Sequence, residues 1–424
     1  MRFNRLADWL AWQETLHHVS IDLGLARVRS VATRLGITVP PFPLISVAGT
    51  NGKGSSVALL ASIFQQAGYK VATYNSPHLL RYNERIQVES QEVSDTALIQ
   101  AFDEVDQARE DTTLTYFEFG TLAAMLLFHE EKPDVVVLEV GLGGRLDAVN
   151  VFDADVGLIT TIGLDHMAWL GHDRESIGRE KAGIYRRGQP AICADPKPPA
   201  SVAHVAQSIG ALWYGLGKDF RFSVDADKWH WESNADGYYH GLPKPALAGA
   251  YQIQNAAGAL MAIRLLRDHL PVSKDAVRRG LRSATLPGRF QIFSGQKNVT
   301  MVLDVAHNPQ AAEVLADGLQ ESPCNGRTLA VVAMLGDKSI EGVLRALWTV
   351  VNSWYVSDLH VPRGATAETI MATILQISAD ADVHSFPTTG EAWRAARESA
   401  CPGDQVVVFG SFHTVSEVLR MMKT

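Results

Sequence analysis

The stretch LISVAGTNGKGS, residues 44–55, runs five mostly apolar positions into three glycines, a lysine and a serine. The positions that follow, Ser56, Val57, Ala58, Leu59, Leu60 and Ala61, have helical apolar spacing, so the segment reads as strand, glycine-rich loop and helix. Such a loop can turn backbone N–H groups toward a phosphate, with the positive end of the helix behind them. Lys53 would neutralise phosphate oxygens, and Ser55 would cap the helix or approach a metal. The general pattern GxxxxGK followed by Ser or Thr fits imperfectly. Fewer residues precede the Gly-Lys pair, and Gly54 intervenes before Ser55. A plain glycine turn capped onto a helix is the simpler alternative.

Moving outward, residues 134–140 and 155–160 are short β-branched runs with polar or glycine-rich ends, the signature of buried parallel strands. Helical stretches near 94–109 and 116–131 precede them. Strand and helix alternate, so the expected architecture is an α/β sheet covered on both faces. Residues 218–245 turn aromatic and polar, with Trp229, Trp231, Tyr238 and Tyr239, and suggest a small antiparallel excursion. Helices are expected again at 251–266 and 273–282. Pro287-Gly288 then breaks the pattern. Beyond it, strands near 300–305, 328–333, 351–356 and 405–410 alternate with helices. Two domains are therefore expected, 1–286 and 287–424, which suits 424 residues.

The 38 Lys and Arg stand against 46 Asp and Glu, a formal charge of −8 that disfavours nucleic acid and anionic membranes as partners. Cys193, Cys324 and Cys401 are far apart and form no CxxC pair, which suits a reducing cytoplasm. The N-terminus carries charges throughout, and no run of about eighteen apolar residues occurs, so neither signal peptide nor membrane span is assigned. With no coiled coil or exposed apolar repeat evident, a monomer is expected.

GTNGKGS, residues 49–55, resembles the loop of the Mur ligase and folylpolyglutamate synthase superfamily. Further pieces narrow the resemblance to its folate branch: SPHL at 76–79, YFEFGT at 116–121, LEVGLGGRLDA at 138–148, GREKAG at 178–183, LPGR at 286–289 and DVAHNP at 304–309. Their order matches, and the resemblance spans almost the whole chain. It implies a P-loop NTPase-like N-terminal domain with a smaller Rossmann-like α/β C-terminal domain. The implied activity is ATP-dependent ligation of L-glutamate to dihydropteroate and to the tail of reduced folates, with Mg2+. The resemblance also allows a monovalent cation.

By the same resemblance, Gly49, Thr50, Asn51, Gly52, Lys53, Gly54 and Ser55 hold ATP, with Asn255 beside them and Arg289 and Asp304 from the second domain. Such an arginine would arrive on domain closure; an ordinary ion pair is the bland reading. The role of His307 stays open. Glu139 ends an apolar strand, where open α/β sheets bind ligands, and its carboxylate suits Mg2+. Ser76 and His166 join it as metal ligands by resemblance alone, since Mg2+ prefers oxygen and Ser76 before Pro77 reads locally as a turn residue. Substrate is expected at Asp22, Leu23, Gly24 and Leu25, at Thr115, Tyr116, Phe117 and Glu118, and at Leu146, Asp147 and Ala148. An aromatic face and a carboxylate suit a flat amino-pyrimidine ring. Locally, Phe117 reads as a helix-core residue. Lys181 reads as an exposed helix lysine, and by resemblance carries a carbamate that turns a cation into an anionic oxygen donor.

Three rivals remain. A Mur-type peptidoglycan ligase would be expected to carry a separate UDP-binding domain where 43 residues precede the loop's strand. An ATP-hydrolysing switch would release phosphate without substrates, and a purely structural α/β protein would ignore nucleotide.

Overall fold

The computed structural model describes residues 1–235, 237–294, 298–322 and 324–423. It comprises two compact units, Met1–Ala246 with Gln252–Thr285, and Leu247–Tyr251 with Leu286–Thr424.

In the first unit the strand Leu44–Ala48 lies near the middle of an eight-stranded sheet. The order across it is Gln91–Glu92, Ile86–Val88, Val71–Tyr74, Val135–Glu139, Leu44–Ala48, Val156–Ile159, Pro190–Cys193 and Leu212–Gly215. The last six of these run parallel, and the first two form an antiparallel edge. Every residue of Leu44–Ala48, Val135–Glu139 and Val156–Ile159 is buried, as expected of central parallel strands with both faces covered. Trp9, Val28, Phe102, Phe119, Met125 and Phe128 pack from the helices onto Leu44, Ala72, Val136 and Leu138.

The helix after the loop, Lys53–Gln66, is buried nearly all round. The helix Lys274–Ser283 crosses it closely, because Gly280 has no Cβ to run into the backbone of Ile63. The expected antiparallel excursion forms a three-stranded sheet, Phe220–Asp225, Lys228–Ser233 and Gly237–Pro243. Trp231 on its inner face donates to the Ala257 carbonyl at 3.1 Å.

The second unit holds a six-stranded sheet ordered Gln291–Ser294, Thr300–Leu303, Gln405–Phe409, Thr328–Val332, Ser353–Ser357 and Val383–Phe386. Only the first of these strands pairs antiparallel. Among the described residues no helix is long and apolar enough to cross a membrane.

Candidate active site

The loop 49–52 leaves the carboxyl end of Leu44–Ala48, between the strands that end in Glu139 and Ile159. Two of its glycines are sterically required. Gly49 has φ +149° and a Cβ there would collide with the Thr160 hydroxyl; Gly52 has φ +87° and a Cβ there would collide with the Asn255 side-chain oxygen. Tight stitching fixes the loop: Thr50 N–H donates to Thr161 O at 2.6 Å, and Thr160 Oγ1 donates to Asn51 O at 2.6 Å. Gly52 caps the helix Lys53–Gln66 without a side-chain hydrogen bond, so its first turn presents backbone N–H groups to an anion. Asn255, 3% exposed, stands beside this turn and donates to Gln252, which in turn donates to Ser55.

Two lysines converge on one loop carbonyl. Lys53 Nζ donates to Gly49 O at 3.1 Å and Thr50 O at 3.3 Å, and Lys181 Nζ donates to the same Gly49 O at 2.9 Å. Lys181 is buried at 5% exposure, which overturns its local reading as an exposed helix lysine. Burial, and then the neighbouring Lys53 charge, pull its ammonium down to about 7.

Glu139 is paired in register with Val47 of the loop strand, is buried, and accepts from the Ser76 amide at 3.2 Å. Ser76 thus meets Glu139 through its backbone. His166 is exposed, has φ +51°, and lies 3.9 Å from the Asp165 carboxylate. Among the described residues no three His, Cys, Asp or Glu side chains are arranged to hold a metal ion. Mg2+ does not require such a cage, because it binds through one or two carboxylates, water and phosphate oxygens. A buried Glu139 at the strand end next to a phosphate-type loop fits that chemistry.

On the substrate side, Asp22, Leu23, Gly24 and Leu25 form a half-buried loop. Asp22 is held by Arg27 and by His17 at 3.1 Å, and Arg27 also donates to Glu118 at 2.9 Å. Glu118 and Thr115 form a capping box on the helix Tyr116–Glu131, with Thr115 N–H donating to Glu118 at 2.8 Å. Their side chains thus fix the start of this helix, where substrate is expected. Phe117, read locally as core, is only half-buried; its ring lies over Gly141 and 5.7 Å from that of Tyr74. Leu146 is half-buried, while Asp147 and Ala148 are buried. Asp147 accepts from Leu142 N–H at 2.7 Å and Val149 N–H at 3.1 Å. Burial pushes its carboxyl up to about 7 against those donors, so it can stand protonated or ionised near neutrality.

In the second unit, Asp304 accepts from Phe290 N–H and Ala306 N–H, both at 2.7 Å, and burial raises its carboxyl against the opposing charge of Arg289. The Arg289 guanidinium lies 5.0 Å from the centre of the Phe412 ring. His307 Nδ1 lies 2.8 Å from Val305 O.

A family model of the Mur ligase middle domain matches residues 47–263, and one of the Mur ligase glutamate ligase domain matches residues 288–412. The chain is 49% identical over 417 residues to dihydrofolate synthase/folylpolyglutamate synthase of Escherichia coli K12, covering 98% of this chain and 95% of that relative. This chain belongs to the dihydrofolate synthase/folylpolyglutamate synthase family of Mur ligases. Its fold is similar to that of Escherichia coli FolC in complex with DHPP and ADP, with TM-score 0.93, 48% identity and coverage of 99% and 98% of the two chains. It is also similar to a bifunctional folylpolyglutamate synthase/dihydrofolate synthase with Mn, AMPPNP and L-glutamate bound, with TM-score 0.91, 45% identity and the same two coverages.

In this Mur ligase, sequence reasoning missed Thr160 and Thr161, which fix the loop, and Arg27. The two threonines follow a strand and could have been suspected from that position. Arg27 meets Glu118 across 91 positions, and no local pattern signals that.

Proposed function

We propose that this chain ligates L-glutamate, with ATP, to dihydropteroate to form dihydrofolate, and to the glutamate tail of reduced folates. The observation that carries the reading is the built loop 49–55, which includes Lys53 and has Glu139 on the neighbouring strand, in a chain nearly half identical to a bifunctional relative over its length. In this reading the first domain, 1–286, binds ATP and folate, and the second, 287–424, brings Arg289 and Asp304 to the nucleotide. The cytoplasm is the proposed location, in keeping with its three unpaired cysteines.

A carboxylate at neutral pH is a poor electrophile. Transfer of the γ-phosphoryl group converts it to an acyl phosphate, the free amine of glutamate attacks the carbonyl carbon, and phosphate leaves. The chain's own work is alignment and charge neutralisation. Backbone N–H groups at the start of Lys53–Gln66 and the Lys53 ammonium hold phosphate oxygens. Glu139, with Ser76 and His166, would hold Mg2+, which supplies charge neutralisation on the phosphates when bound. Phe117 offers a ring face, and Asp147 a carboxyl group, to a pterin edge.

The test is phosphate release with ATP, dihydropteroate and L-glutamate, omitting each in turn. Release that persists without glutamate and pteroate would favour an ATP-hydrolysing switch. With one phosphate loop serving both reactions, dihydropteroate and a reduced folate should compete. Saturation with either that leaves the rate on the other untouched would require two sites.

Arg27→Ala should loosen the loop Asp22–Leu25 from the start of Tyr116–Glu131. The expected result is a rise of about tenfold in KM for dihydropteroate, from losing charge-assisted bonds, with KM for ATP unchanged. Equal changes in both constants would contradict this positioning role.

A further inference from the structure

Arg85 is 8% exposed, yet among the described residues no carboxylate pairs with it. The contrast with Arg109 is direct: similarly buried at 9%, that residue pairs with Asp106 at 2.8 Å and donates to two backbone carbonyls. Buried guanidinium groups are ordinarily paired, since leaving water costs them several kcal/mol (roughly) without a counter-charge. Among the described residues Arg85 makes one hydrogen bond, from Nε to His78 Nδ1 at 2.9 Å, and lies against the rings of Tyr82 at 5.2 Å and Tyr116 at 5.4 Å. Aromatic faces stabilise the cation without using its terminal N–H donors.

Three phenols and an imidazole surround the guanidinium. Among the described residues the buried hydroxyls of Tyr74 and Tyr82 have no hydrogen-bond partner, and that of Tyr74 lies near Thr121 and Arg85 without bonding geometry to either. Burial keeps both phenols protonated, and that of Tyr116 is raised to about 12. Arg85 is also close to the reacting end of the site. The Tyr74 ring lies 5.7 Å from that of Phe117, tilted by 32°, and His78 lies two residues from Ser76, whose amide meets Glu139.

We propose that Arg85, within its cage of Tyr74, Tyr82, Tyr116 and His78, binds a substrate carboxylate that stays ionised throughout ligation, one belonging to glutamate or to a glutamyl tail. The carboxylate that is phosphorylated must meet the γ-phosphate at loop 49–55, and a fixed guanidinium on it would weaken its nucleophilicity. The partner of Arg85 is therefore a second carboxylate. This assignment rests on the proposed ligase activity and adds a residue that its amino-acid portion contacts.

The test is steady-state kinetics of the full chain carrying Arg85→Gln or Arg85→Lys, with dihydropteroate, which has no tail, and separately with a glutamylated reduced folate. Losing one charge-assisted pair should raise a carboxylate substrate's KM about tenfold or more, with kcat little changed, KM for ATP unmoved and Arg85→Lys intermediate. A rise for L-glutamate in both reactions assigns the incoming amino acid; a rise for the glutamylated folate alone assigns the tail. Should Arg85→Gln fail to fold, Arg85→Lys, which keeps the charge in its aromatic cage, decides by the same constants. KM values unchanged in a folded variant beside an active wild type overturn the assignment while sparing the ligase reading. A wild type that ligates neither substrate overturns both.

Discussion

Lys53→Ala should lower kcat on the order of 10³-fold in both ligation reactions while leaving the protein folded. The side chain sits at the start of a helix whose first turn has no side-chain cap, and its ammonium reaches back to Gly49 O and Thr50 O. Removing it deletes a preorganised positive charge where phosphate charge must be neutralised. The cost to stability is small. Lys53 is only half-buried, alanine is the better helix former, and Lys181 still donates to Gly49 O. A change in unfolding free energy of about 1 kcal/mol is expected from the lost hydrogen bonds. The check pairs phosphate release and product formation with a thermal melt. Near-normal turnover in a folded variant would sink the assignment of loop 49–55 to ATP.

Lys181→Ala should lower turnover on the order of 10²-fold, with partial rescue by a small added carboxylic acid. Two ammonium groups on one carbonyl oxygen repel each other in a buried setting, and the structure places both Lys53 and Lys181 on Gly49 O. A carbamate on Lys181 would replace that repulsion with attraction to Lys53 and supply an anionic oxygen for Mg2+. Carbamate formation needs the neutral amine, and an ammonium brought down to about 7 is substantially neutral at physiological pH. Activity should therefore depend on bicarbonate as pH falls below about 7. A Lys181→Ala protein that turns over normally would end the proposal.

The same burial has a signature in stability. Lys181 loses its proton near 7 in the folded chain but near its ordinary value of 10.5 when unfolded. Between those values the unfolded state binds more protons. Unmodified protein should then gain stability as pH rises through this window, by up to about 1.4 kcal/mol per pH unit, and Lys181→Met should flatten that slope. Parallel profiles for the two proteins would contradict the depressed value.

The elements legible in the sequence were those with long or uniform local patterns. Residues 44–48 and 405–410 read as strands because their runs are apolar and β-branched, and 94–109 and 116–131 read as helices from their spacing. Strands such as Pro190–Cys193 and Val383–Phe386 span four residues, too few for a period to declare itself. Phe117 misled for a related reason. Its position in a helix of apolar residues says core, but its ring comes to rest over Gly141, where the missing Cβ leaves room.

What the sequence by itself determined was the phosphate-type loop and the alternating α/β order. Both depend on local chemistry: glycines that allow positive φ, a lysine at a helix start, and apolar periods of two or 3.6. What only the tertiary structure decided was which distant side chains share that loop's surroundings. Lys181 reaches Gly49 O across 132 positions, Arg27 ties Asp22 to Glu118 across 91, and Arg85 lies among tyrosines with no carboxylate against it among the described residues. The charge on a buried lysine or arginine is set by what the fold packs around it, and neighbours in sequence carry no record of that packing.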